Sequence, residues 1–68
     1  MKNSVLWRKT ARIASMLSIR LNIEPERALD LFYNSHTYTL FSNPESGLQL
    51  LSDEFILNDL IHELNSKS

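Results

Sequence analysis

The sequence predicts a small all-α domain, a three- to four-helix orthogonal bundle, and three observations carry that expectation. Apolar residues recur at three- and four-residue intervals in three long stretches. Helix-starting residues stand at Pro25 and at Ser52-Asp53-Glu54, and the single glycine falls in the one dense cluster of turn formers, 43–47. With 68 residues and no repeated block, the chain has room for one domain, 1–68, with 65–68 as a frayed tail.

The first helix is expected over about 4–22. Ser4 supplies a capping oxygen, and Leu6, Ile13, Ala14, Leu17 and Leu21 fall within one inward arc, with Trp7 at its edge. Val5, Met16 and Ile19 form a second, narrower stripe among Arg8, Lys9 and Arg12, so this helix has two surfaces to cover. Pro25 at a first helical position, beside Glu24 and Glu26, starts a second helix over 25–34. It turns Ala28, Leu31 and Phe32 inward, with Leu29 and Tyr33 flanking them.

Residues 36–41 pull two ways, since Thr37, Tyr38 and Thr39 favour a strand while Ser35 can cap a short helix that turns Leu40 and Phe41 inward. The short helix is the expected outcome. Residues 43–47 form a loop, and 48–51 are either extended or a further turn. The last helix runs over 53–65, burying Ile56, Leu57, Leu60, Ile61 and Leu64, with Phe55, Asp59 and His62 on the opposite side.

A chain this short gains little more from burial than it loses in conformational entropy. The absence of cysteine removes disulfides and thiolate zinc sites, which leaves tight helix packing or self-association. It also suits a reducing compartment, and the cytoplasm is the expected location. No apolar run is long enough to cross a bilayer. Residues 1–23 are basic, serine-containing and free of acids, a transit-peptide composition, but they carry the longest helix of the domain and are read as part of it.

A net charge of −1 hides an asymmetry: the bases cluster in 1–20 and all eight acids lie from Glu24 onward. Such a dipole fits either head-to-tail association or an oppositely charged partner. The simpler expectation is that the basic helix packs beside the acidic ones.

No catalytic, cofactor-binding or metal-binding constellation is legible. His36 and His62 could meet in space, but neither stands in a motif that supplies a nucleophile and an orienting group. Asp59, His62 and Glu63 lack further ligands, Asp53-Glu54 suits helix capping, and one glycine excludes phosphate-binding loops. The chain is therefore not expected to be an enzyme.

From Ala28 to Ser66 there is no lysine or arginine, so a DNA-reading helix is not expected there, and only the basic first helix is left to touch nucleic acid or an anionic membrane. A protein partner asks for less: an exposed apolar cluster with a charged rim. The candidate contact residues are Arg8, Arg12, Met16, Ile19, Tyr33, Tyr38 and Phe55, with Met16 and Ile19 favoured for self-association.

From Ile23 to Leu64 the pattern of Ala28, Leu31-Phe32, Ser35, Leu40, Leu51-Ser52, Phe55-Ile56 and Asp59 resembles a family of small bacterial helical domains of unknown function. Those domains look like stand-alone proteins, often encoded near ADP-ribosyltransferase-like toxins. The resemblance implies an antitoxin-like or accessory role, with a partner encoded nearby. Phe55 stands where the family pattern has tyrosine, so no role of that hydroxyl carries over.

Overall fold

The computed structural model describes residues 4–66, with the side chains of Ser4 and Val5 outside the described set. Four α-helices follow one another, α1 (Ser4–Leu21), α2 (Pro25–Tyr33), α3 (His36–Phe41) and α4 (Asp53–Ser66). Two 3-10 turns, Pro44–Ser46 and Leu48–Leu50, stand between α3 and α4, and no strand occurs among the described residues. The chain is a small all-α bundle, and 36–41 is helical despite its β-branched residues.

Each helix boundary has a local cause. Asn22 adopts a left-handed φ of 58° after α1. Its N–H donates to the Ile19 carbonyl and that of Ile23 to the Ser18 carbonyl, a paired closure that asparagine tolerates. The turn places Ile23 against the core. It leaves Leu21, expected inside, 37% exposed, because the chain departs toward α2 before that residue is covered.

Pro25 opens α2 without a capping side chain, as its missing N–H permits. The buried Ser35 hydroxyl then serves two helices at once, donating to the Phe32 carbonyl at 2.6 Å and accepting from the Tyr38 N–H at 3.0 Å. Ser52 caps α4 by accepting from the Phe55 N–H at 3.1 Å. The Ser4 cap expected from the sequence falls outside the described side chains.

Six residues are too few to hold a helix in isolation, and α3 is completed from outside itself. The Glu63 carboxylate, on the last turns of α4, accepts from the His36 N–H at 2.7 Å and the Thr37 N–H at 2.9 Å. It also accepts from the Thr37 hydroxyl at 2.7 Å. With Ser35 taking the Tyr38 N–H, each of the first three N–H donors of α3 has an acceptor. A negative charge at that end also suits the helix dipole.

The core joins Ile13 and Leu17 of α1, Ala28 and Phe32 of α2, Phe41 of α3, Leu48, and Ile56, Leu57 and Leu60 of α4. Phe32 is its aromatic centre, 5.0 Å from Tyr38 in an edge-on pairing and 5.5 Å from Phe41. A helix as short as α3 turns only one side inward, and Thr37 and Phe41, one turn apart, occupy it. Leu40, expected inside, is left at the exposed edge.

Met16 also departs from expectation. The helix α1 packs on both α2 and α4, and its covered arc is wide enough to bring Met16 against the core. Of the described members of the second stripe, only Ile19 faces solvent, at 78% exposure. Buried hydroxyls are settled within α1, where Thr10 donates to the Leu6 carbonyl and Ser18 to the Ser15 carbonyl.

The loop expected at 43–47 is a tight turn in which the Asn43 side chain accepts from the Glu45 N–H at 3.0 Å. The Ser46 hydroxyl donates to the Leu40 and Asn43 carbonyls. Gly47 follows with φ of 74°, a conformation costly for any residue with a Cβ. Residues 48–50, left open between extended chain and turn, form the second 3-10 turn and deliver Leu48 to the core. The helix α4 runs one residue past its expected end at Asn65, so that Ser66, expected only in the tail, is helical, while Lys67 and Ser68 lie outside the described residues.

Removing the Glu63 carboxylate should therefore unfold more than one hydrogen bond. Glu63→Ala is expected to cost about 2 kcal/mol, lowering the thermal midpoint by about 10 °C in a domain of this size. Glu63→Gln, which keeps one acceptor oxygen, should lose about half of that. Circular-dichroism melts of the three proteins check this, and midpoints within about 2 °C of one another would contradict it.

Candidate functional site

The charge asymmetry is resolved by packing. Lys9 and Arg12 both reach from α1 to Asp53 at the start of α4, at 2.9 Å and 2.8 Å. Lys9 also donates to the Leu51 carbonyl at 2.7 Å, tying the approach to α4 onto α1. Arg12, a candidate contact residue, is thus an internal strap. Arg8, the other basic candidate, is exposed and pairs with no described residue.

The Arg12 hydrogen bond is the main cause that holds the Asp53 carboxyl below its ordinary pKa, with partial burial opposing it and Lys9 adding to it. The same contact raises the Arg12 guanidinium further. Burial, and then the neighbouring Tyr33, push the Tyr38 phenol up.

Tyr33 and Tyr38 meet edge-on at 4.9 Å, and Tyr38 in turn packs on Phe32 and Phe41. Tyr38 is half-buried and belongs to the core margin, while Tyr33 is the exposed member of the pair. Phe55, 53% exposed, stands on the outer face of α4, where it shares a shallow depression of about 310 Å³ with Asn58, Asp59 and His62. An aromatic ring bordered by an amide, an acid and an imidazole has the make-up of a contact patch with a polar rim.

A second depression, about 240 Å³, shares Asp59 and His62 with the first and is completed by His36, Thr37, Glu63 and Ser66. The two histidines do come together in one cleft. Neither imidazole hydrogen-bonds to a described residue, and the Ser66 hydroxyl donates to the Glu63 carbonyl within its own helix. The cleft thus assembles acid, imidazole and hydroxyl without the hydrogen-bonded chain that activates a nucleophile. Glu63 is committed to the N-terminus of α3, and no group of three or more metal-ligating side chains is placed to share an ion among the described residues.

The largest departure from the expected sites is a groove between α1 and α2, about 220 Å³, lined almost wholly by apolar surface. Trp7, Ala11, Ala14 and Ser15 supply the α1 wall and Pro25, Glu26 and Leu29 the α2 wall. Trp7 is 50% exposed there. Its signal lay in the sequence, as a tryptophan followed by small residues at helical spacing beside the buried arc. No helix among the described residues is long and apolar enough to cross a membrane.

The Asp53 contacts set a pH dependence. Its carboxyl titrates lower in the folded chain than in the unfolded one, so the stabilisation is present above about pH 4 and is lost as the pH falls through the folded value. Asp53→Asn should therefore melt a few degrees below the parent at pH 7, and the gap should close toward pH 3. An equal gap at both values would contradict the assignment.

No family model matches the chain, and no curated protein or solved structure matches it either.

Proposed function

We propose that the chain is a non-catalytic protein-interaction module whose partner contacts the outer face of α4. Phe55 and Asp59 carry this reading. They are two of the positions on which the resemblance to the small bacterial domains rests, yet Phe55 is absent from the core and Asp59 is exposed. One turn apart, they border the same depression, so packing within the bundle gives no reason for that pair. A half-exposed aromatic ring with a polar rim is how interface anchors are commonly built.

The resemblance gives the reading a specific form, an antitoxin-like or accessory protein in the bacterial cytoplasm that binds the product of a neighbouring gene, an ADP-ribosyltransferase-like toxin. The alternative, nucleic-acid binding by α1, is weakened by geometry. Two of the four cations of that helix, Lys9 and Arg12, are already held by Asp53, and the phosphate contacts they would supply are lost.

Titration of the tagged chain with the product of the adjoining gene tests the proposal. A complex is expected that Phe55→Ala weakens about thirtyfold or more and Phe55→Tyr leaves intact. Failure to form any complex, or equal binding by Phe55→Ala, would contradict it. A salt-sensitive gel shift of nucleic acid in its place would favour the basic helix.

A further inference from the structure

Phe55, Asn58, Asp59 and His62 line the depression on the outer face of α4. Phe55 and Asp59 are one turn apart, with Cβ atoms about 5–6 Å from each other, so whatever covers the ring also covers the carboxylate. Asp59 is exposed and has no ion-pair or hydrogen-bond partner among the described residues. The bundle holds no cation in reserve for it. No lysine or arginine occurs from Ala28 to Ser66, and Lys9 and Arg12 are held at Asp53, about 200° around α4 from Phe55. Glu54, one turn before Asn58, is exposed and likewise unpaired, and it adds to the negative charge of this side.

A carboxylate taken out of water without a counter-charge or donors is strongly penalised. An apolar partner that buried Phe55 would therefore strand Asp59, and nucleic acid, an anionic membrane or an acidic peptide would be repelled by it. The partner has to supply the cation. Arginine suits the site better than lysine, because its planar guanidinium stacks on an aromatic ring and still presents paired donors to a carboxylate. The Asn58 side-chain oxygen is a further acceptor at the rim.

We infer that this depression receives an arginine side chain of the protein partner, with the guanidinium over the Phe55 ring and its N–H groups donating to Asp59, an assignment that rests on the reading of this face as the partner-binding one.

N-acetyl-arginine amide is the probe, titrated at low salt into the isotope-labelled full chain and followed by backbone amide shifts. Saturable shifts are expected at Phe55, Asn58, Asp59 and His62, with a dissociation constant in the millimolar range for so small a ligand. The capped lysine should bind about fivefold more weakly, and capped citrulline, which keeps the shape without the charge, about tenfold more weakly. Asp59→Asn and Phe55→Ala should each weaken the arginine probe about fivefold. Both positions are exposed, and circular dichroism checks that the variants remain folded.

Shifts no larger with arginine than with citrulline would overturn the assignment. So would shifts of equal size around Glu45, an exposed acid on the turn that follows α3. A partner complex that needs Phe55 yet is indifferent to Asp59→Asn would also overturn it, while leaving the partner-binding face itself standing. An arginine probe that binds at Phe55 and Asp59 while no complex forms with the neighbouring gene product supports the arginine site and contradicts that choice of partner.

Discussion

One carboxylate joins the last helix of this fold to its middle. The backbone donors that open α3 are satisfied by Glu63, 27 and 26 residues further along the chain, so the middle of the molecule is not finished until its last helix has docked. The helix α3 is too short to persist unaided, yet it carries Phe41 and Tyr38 into contact with Phe32. The aromatic centre of the core therefore depends on a polar contact at its edge. Burial supplies the driving force, while Glu63 decides where α3 is placed.

The long first helix packs on two neighbours, α2 and α4. It turns Thr10, Ile13, Ala14, Leu17 and Ser18 inward and leaves Ile19 and Arg20 to solvent. Its basic charge is partly spent on Asp53 through Lys9 and Arg12. What stays unpaired is Arg8, Arg20 and the Trp7 side of the groove with α2. The surface left for partners is therefore smaller and more apolar than the bare sequence of α1 suggests.

Most of the architecture was legible because its signals are local. Pro25, Ser35 and Ser52 marked helix starts, and Asn43-Pro44 and Gly47 marked the reversal, each through chemistry that acts within a few residues. Leu40 and Met16 were misplaced because a helical wheel assigns one inward direction, whereas α1 is covered from two sides and α3 has room for only one pair of inward residues, and Leu21 because the chain leaves α1 toward α2 before covering it. The role of Glu63 and the choice of Asp53 as the partner of Lys9 and Arg12 depend on tertiary distance, which no spacing in the chain reveals. The groove was half-legible: Trp7, Ala11 and Ser15 form a visible stripe, but its second wall exists only once α2 folds back.

Amide hydrogen exchange at single-residue resolution bears most directly on the dependence of α3 on α4. If Glu63 holds that helix in place, the Thr37 and Tyr38 amides should exchange only through the same opening that exposes Leu60 in the core of α4, with the same free energy. Exchange of those two amides near the unprotected rate, while Leu60 stays protected, would show that α3 opens independently and would contradict the account.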